Sequence, residues 1–367
     1  MRICHVTSVH PLDDVRIVRK QVRTLVQAGY EVSVVGTEGR TDYSSGARFV
    51  QVRRKGDGRL ARMTTHAFRV IRAALEVRAT LYHLHDPELL PWAFMLRRSG
   101  ARIVYDAHED LAAQIRGKPY LAPSLRPALS RASDLAIRGL TAITDSVVSA
   151  TPEIGRRFVR ERDVVVCNYP SHEEFGVVPG LKYTLRPYRV AYVGGISADR
   201  GIMELVEAVG CQRRPVRLDL LGCFFGANLE ARLRFLDGWE RTDFHGWLDR
   251  PGVAHVLSRV RAGVVTLHPT PAYQKSLPVK LFEYMMAGLP VIASDFPLWR
   301  GIVGEVECGL LVDPESPQAI AEAIDWIIEH PEEACAMGER GRRAVVETLN
   351  WENEAKKLIA LYERLLA

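Results

Sequence analysis

Ser276-Leu-Pro-Val-Lys-Leu-Phe-Glu-Tyr-Met-Met-Ala-Gly-Leu-Pro-Val-Ile-Ala-Ser294 is the stretch on which the reading of this 367-residue chain turns. A polar opening runs into Pro278, and proline suits the first turn of a helix because its missing N–H would be unpaired there anyway. The spacing predicts a short helix that stops at Gly288, after which the chain re-extends through Pro290 into Val291-Ile-Ala. A helix N-terminus offers free N–H groups and a partial positive charge, and so a seat for an anion. Lys280 and Glu283 are three apart, one turn along on roughly one face. A cation for phosphate beside a carboxylate for hydroxyls suits a nucleoside diphosphate. An ordinary αβ unit with a surface ion pair is the alternative.

Outward from that stretch, strands and helices alternate. Arg2–Ser8 reads as a strand, Val15–Ala28 as a helix and Glu31–Gly36 as a second strand. Ala61–Thr80 reads as a long amphipathic helix, Tyr82–His85 as a strand, Leu89–Ser99 as a helix and Ala101–Asp106 as a buried strand. Arg116–Gly139 reads as a basic, apolar helical segment, and Ala142–Val148 and Asp163–Val166 as the last strands of this half. Asn168–Gly180 is rich in turn formers and reads as a linker. The second series of strands is Arg189–Val193, Val216–Leu221, Thr242–Phe244, Ala262–Leu267, Val291–Ala293 and Gly309–Val312. Helices Ile202–Val209, Ser316–Glu329, Glu332–Thr348 and Trp351–Leu366 accompany them. Strands separated by such helices predict βαβ units and parallel sheets.

Ligands of such sheets bind beyond the carboxyl ends of the strands. Three exits in the first half are polar: His10, Asp13 and Asp14; His85, Asp86 and Glu88; His108, Glu109 and Asp110. Their convergence favours a site over a plain scaffold, although Asp13 and Asp86 also stand where helix caps stand. In the second half, Arg189–Val193 leads into Gly194-Gly-Ile-Ser-Ala-Asp-Arg-Gly201. This turn lacks the G-x-G-x-x-G spacing of a dehydrogenase-type dinucleotide site. It suits a phosphate near Gly194 and Gly195 with Arg200 as partner, or else a tight turn with a solvated arginine.

The length suits two domains better than one core. With 47% apolar and 25% charged residues the chain is expected to be globular, not disordered. No apolar run approaches the ~20 residues that span a bilayer, and the N-terminus reads as a strand without a signal-peptide pattern. A cytoplasmic location is the expectation. The six cysteines include no C-x-x-C pair and no zinc spacing, which predicts reduced thiols and no metal. Residues 1–170 hold 27 Lys/Arg against 17 Asp/Glu, a net of +10; the remainder holds 22 against 27. The basic residues are dispersed without interleaved aromatics, which argues against nucleic acid. Peripheral contact of the basic half with an anionic membrane stays open.

These residues carry a resemblance. The pattern P-x-K-x-x-E-Y-M-x-x-G-x-P-V-I-A-S-D from Pro278 to Asp295 looks like that of the GT-B glycosyltransferases, and more narrowly of the retaining family-four enzymes. Ser8-Val-His-Pro-Leu-Asp-Asp-Val-Arg-Ile17, His83-Leu-His-Asp-Pro-Glu-Leu-Leu90, Tyr105-Asp-Ala-His-Glu-Asp110 and Ser294-Asp-Phe-Pro-Leu-Trp-Arg300 support it. The resemblance implies an α/β chain of two Rossmann-like domains facing each other across a cleft. Residues 1–170 would bind the acceptor, with helix 351–367 packing back on them, and 185–350 would bind the donor.

The resemblance also implies roles. Glu283 would hold ribose hydroxyls, Arg200 and Lys280 the diphosphate, and Gly194, Gly195, Ser276 and Leu281 would complete the donor contacts. His108 would lie beside the transferred sugar, in the loop after the fourth strand, and count with Arg200 and Lys280 as catalytic. His10, Asp13, Asp14, Arg16, His85, Asp86 and Glu109 would face the acceptor. The implied reaction transfers a sugar from a UDP- or GDP-sugar, a co-substrate rather than a cofactor, to a sugar, lipid-linked or small-molecule hydroxyl. No metal is implied. The chain departs from the pattern at Lys275, where a glutamate is usual, and in lacking an arginine directly after Gly194. A nucleotide-sugar epimerase and an inactive binding subunit of the same build are the rival readings.

Overall fold

The computed structural model describes residues 1–54, 58, 61–118, 121–158, 160–174, 181–226 and 228–367. Parts of two sequence-predicted segments, 119–120 of Arg116–Gly139 and 175–180 of Asn168–Gly180, lie outside the described residues. The chain forms two compact units, Met1–Asn168 with Trp351–Ala367, and Tyr169–Asn350. The sequence reading ends its first domain at 170 and begins its second at 185, whereas Tyr169–Arg186 belongs with the second unit. Packing explains this: the Tyr169 ring meets Phe282 edge-on, Tyr183 Oη donates to the Arg261 carbonyl at 2.6 Å, and the Arg261 guanidinium caps the Thr184 and Arg186 carbonyls.

Unit 1 is built on β1 (Arg2–Val6), β2 (Glu31–Thr37), β3 (Arg48–Val52), β4 (Leu81–Leu84), β5 (Arg102–Ala107), β6 (Ser146–Ser149) and β7 (Val164–Val165). Every neighbouring pair is parallel, in the order β3-β2-β1-β4-β5-β6-β7. Side chains alternate across the sheet. Cys4, Val6, Tyr82 and Leu84 therefore face the helix Ala67–Val77, α1, through its Val70, Ile71 and Ala74. Ile3, Leu81 and Val104 face the other way, onto Ile17, Leu25 and the C-terminal helix Trp351–Leu366 with its Leu358, Leu361 and Tyr362.

Unit 2 repeats the plan with β8 (Arg189–Val193), β9 (Arg217–Leu221), β10 (Thr242–Gly246), β11 (Ala262–Val265), β12 (Val291–Ser294) and β13 (Gly309–Val312). Their order is β10-β9-β8-β11-β12-β13, all parallel. In both sheets the order reverses beside the first strand, between β1 and β4 and between β8 and β11. Loops leaving the strands there diverge and open a crevice.

The structure corrects several local readings. Strand β3 is missing from the sequence reading: Arg48-Phe-Val-Gln-Val52 is a short, half-exposed edge strand whose apolar residues are only partly buried except Val52. His108 consequently follows the fifth strand, not the fourth. Val15–Val22 is a π-helix before a short α-helix, Arg23–Gln27, and Pro87–Trp92 is a 3-10 turn rather than the start of an α-helix. Helix Arg126–Thr141, α2, takes the residues before Thr144, so β6 starts only at Ser146. Pro278 is the residue before helix Val279–Met286, α3, and not its first turn.

The helix Trp351–Leu366 is α4, and it is tied to unit 1 by polar bonds as well as by packing. Trp351 Nε1 donates to Thr24 Oγ1 at 2.9 Å, Glu354 accepts from the Cys167 amide at 2.8 Å, and Tyr362 Oη lies 2.6 Å from His83 Nδ1. Truncation after Asn350 should open that face of the sheet. Hydrogen exchange would then become fast in β1 and β4 while β8 and β11 stay protected, and Tyr362→Phe alone should lower unit 1 stability by about 1–3 kcal/mol in denaturant titration.

Candidate functional site

At the switch point of unit 1, Asp86 ties two strand exits together. Its Oδ2 accepts from Thr7 Oγ1 at 2.8 Å and from the Ser8 and Val9 amides at 2.6 and 3.2 Å, while Oδ1 lies 2.8 Å from His10 Nδ1. Burial raises the Asp86 carboxyl's pKa, but these partners outweigh burial and hold it well below the usual range. Burial likewise lowers His10, and the hydrogen bond and charge of Asp86 outweigh it and lift the ring to about 9.

Behind this clamp stands a chain of imidazoles. His108 Nε2 lies 3.0 Å from His85 Nδ1, and His85 Nε2 lies 2.8 Å from His5 Nδ1. His5 Nε2 approaches the Tyr362 hydroxyl at 3.5 Å, and that hydroxyl reaches His83. Asp106, fully buried, takes Arg16 Nη2 at 2.9 Å on Oδ1 and Gln21 Nε2 at 2.6 Å on Oδ2, with His85 and His108 each 3.4 Å from Oδ2. Burial would raise the Asp106 pKa; the Arg16 guanidinium outweighs it and holds the carboxyl charged. Burial, assisted by Arg16, keeps His108 well below the usual histidine range in spite of Asp106, so at neutral pH its ring is uncharged. His85, Asp106 and His108 have donor types that suit a metal ion, as do His5, His83 and His85. In the first group the Arg16 guanidinium already supplies the cation that Asp106 needs.

The structure brings His10, His85, Asp86, His108 and Glu109 around one cavity of about 190 Å³. It does not bring in the other three acceptor-side candidates. Asp14 caps the π-helix by accepting from the Ile17 amide at 2.9 Å, Asp13 pairs with Arg40 on the surface, and Arg16 is buried against Asp106. Glu88, of the second polar exit, also lines the cavity, and so does Arg62, which the sequence reading does not single out. Glu88 lies two residues past Asp86 in a strand-exit cluster; nothing local marks Arg62.

In unit 2 the first βα turn carries Gly194, in the left-handed region at φ +130°, where a Cβ would stand 2.9 Å from Lys280 Nζ. Gly201, at φ +68°, must also be glycine, since a Cβ would run into the Thr266 carbonyl. Arg200 Nη1 lies 3.5 Å from the Gly195 carbonyl oxygen, and Lys280 Nζ sits 3.8 Å from the centre of the Tyr192 ring. Lys280 is 9% exposed and its ammonium has no hydrogen-bond partner. Burial first, then Arg200, depresses its pKa well below the usual lysine range, and Glu283 only partly opposes them. Helix α3 begins directly at this cation with no side chain capping its first amides. Glu283 is buried and accepts from Arg250 Nη1, a partner the sequence reading missed because it comes from another helix. The Leu281 side chain is fully buried in the core, and Ser276 gives its carbonyl to Trp299 Nε1 at 2.8 Å.

Two family profiles match this architecture half by half: "Glycosyltransferase Family 4" over residues 15–174 and "Glycosyl transferases group 1" over 182–344. The chain belongs to the family-four glycosyltransferases of the GT-B type. It is similar to a D-inositol 3-phosphate glycosyltransferase of Corynebacterium glutamicum, 28% identical over 197 residues, covering 48% of this chain and 44% of that one. The chain spans less than half the length of the first curated relatives it matches. Its fold is that of sucrose-phosphate synthase from Thermosynechococcus elongatus (TM-score 0.78, 20% identity, 100% and 99% of the two chains). It is also that of Anabaena HepE solved with UDP-glucose (TM-score 0.75, 14% identity, 99% and 100%).

The His10–Asp86 pair gives this family-four chain a defined pH response. Because folding raises the His10 pKa from 6.5 to about 9, its stabilisation is complete below 6.5 and is lost as pH rises through 9. Wild-type stability should therefore fall across pH 6.5–9 by more than that of His10→Gln, in chemical denaturation at fixed salt.

Proposed function

We propose that this chain transfers a sugar from a nucleoside-diphosphate sugar, UDP- or GDP-linked, to an acceptor hydroxyl with retention at the anomeric carbon. Lys280 carries the reading. A buried ammonium without a hydrogen-bond partner, beside Arg200 and at the open start of α3, is costly unless an anion completes it. A diphosphate fits that place, with Gly194 and Gly195 permitting its approach and Glu283 left to meet ribose hydroxyls. HepE, of the same fold, was solved with UDP-glucose, which supports the donor class.

The barrier is departure of the diphosphate, so the protein's task is to hold positive charge where negative charge grows. Arg200, Lys280 and the first amides of α3 do this without a protein nucleophile. The acceptor, held in unit 1, loses its proton to a donor phosphate oxygen, and neutral His108 at the cavity orients the sugar by hydrogen bonding. Arg200→Ala or Lys280→Ala should each lower kcat by about 10²–10³ with the fold intact, the loss typical of one preorganised donor. Near-normal turnover in both would sink the assignment, and undiminished activity in EDTA is expected. Because Lys280 is depressed when the site is empty, UDP binding should take up a proton. Calorimetry in buffers of different ionisation enthalpy would show the uptake in wild type and lose it in Lys280→Met.

We further propose peripheral contact with an anionic membrane through α2. No helix among the described residues is long and apolar enough to cross a membrane. Leu125, just before α2, and Leu129 and Leu135 on it are 55%, 42% and 71% exposed, spread over the half of the helix turned away from the core, and Arg131 and Arg138 are exposed along one flank of that half. Such a face suits a negatively charged lipid surface. The basic amphipathic segment Ala61–Thr80 instead buries Ala67, Val70, Ile71 and Ala74 in the core. Vesicles rich in phosphatidylglycerol should float the wild type and not Leu129→Glu/Leu135→Glu; equal flotation rejects the contact.

A further inference from the structure

The cavity of unit 1 contains two cations, and each already has its counter-charge. His10 is paired with buried Asp86 at 2.8 Å, and Arg62 Nε lies 3.3 Å from Oε1 of Glu88, which is 8% exposed. Glu109 adds a further carboxylate at the rim. Three carboxylates against two cations leave the cavity with surplus negative charge. Burial, then the neighbouring Asp86, raises the Glu88 carboxyl above its ordinary range, as expected for a site short of positive charge.

The bonding capacity left over is specific. Arg62 Nε and Glu88 Oε1 are both buried, and their contact lacks hydrogen-bond geometry, so neither atom has its hydrogen bond. A guanidinium only donates and a carboxylate only accepts. A ligand that completes both must offer an acceptor and a donor side by side, as neighbouring hydroxyls of a sugar ring do. An ionised phosphate offers acceptors only. It would complete Arg62, leave Oε1 of Glu88 without a donor and bring its charge against three carboxylates.

We infer that this cavity receives an uncharged, hydroxyl-rich sugar unit of the acceptor, bound beside the Arg62–Glu88 pair, and discriminates against a phosphorylated one. The inference rests on the placement of the acceptor in unit 1. Like-charge juxtaposition in a partly buried site costs enough to separate the two ligand classes by about tenfold or more in affinity.

The test needs neither donor nor turnover. Full-length protein labelled with ¹³C at histidine Cε1 is titrated with methyl α-D-glucoside, methyl α-D-mannoside, glucose 6-phosphate and mannose 6-phosphate. The His10 and His108 signals are assigned from His10→Gln and His108→Gln. The neutral glycosides should move both signals and saturate at least tenfold earlier than the phosphates. Glu88→Gln should narrow that gap by improving phosphate binding. Glu109→Gln, on the exposed rim and without consequence for folding, should narrow it in the same direction. Phosphates that bind as tightly as the glycosides, or a gap unchanged in both variants, overturn the inference and leave the acceptor placement standing. If no probe of either class moves the two signals, the placement itself fails and the inference with it.

Discussion

A charge taken out of water must be matched, and the two units meet that constraint in opposite ways. For Asp106 and Asp86 of unit 1 the match is internal: Arg16 and Gln21 serve Asp106, and four backbone or hydroxyl donors with His10 serve Asp86. Removing one partner of such a pair costs about 3–5 kcal/mol, because the other is left buried and alone. The strand exits are therefore rigid, and His108 stands on a foundation that fixes its ring. In unit 2 the match is incomplete: Lys280 lies under the glycine turn with only the face of Tyr192 for company. Unit 1 holds a shape, and unit 2 waits for a charge.

Much of this was legible in the sequence because the signals were local. Strands β8 and β13 and helix α4 fall where their runs of apolar residues predict them, and the Lys280–Glu283 spacing needed only one helical turn to interpret. What failed was whatever depends on distant partners. Arg16 stands among polar residues at a strand exit and so reads as facing a ligand, yet its carboxylate partner is ninety residues away in Asp106. The half-exposed edge strand β3 lacks the apolar alternation that marks its neighbours. The histidine chain could not be foreseen at all, since His5 and His83 are mid-strand residues that only the pairing of β1 with β4 and the return of α4 bring together. The domain boundary was misplaced for the same reason: turn-forming composition marks where a chain bends, whereas ring packing on Phe282 and the hydrogen bonds around Arg261 decide to which core it belongs.

Arg250 completes the electrostatic account of unit 2. Lys280 and Glu283 lie one turn apart, and a carboxylate so close to a phosphate seat would repel the ligand the lysine attracts. By donating to Glu283, Arg250 offsets that charge beside Arg200 and Lys280. The carboxylate keeps oxygen lone pairs for hydroxyl donors, since a single guanidinium contact does not exhaust it. A neutralised carboxylate can thus bind ribose beside a diphosphate, which a bare one in the same low-dielectric setting would do poorly. The cation that makes this possible comes from the helix after β10. The Arg250–Glu283 pair of the stretch Ser276–Ser294 therefore exists only once the sheet has brought β10 and β12 into one unit.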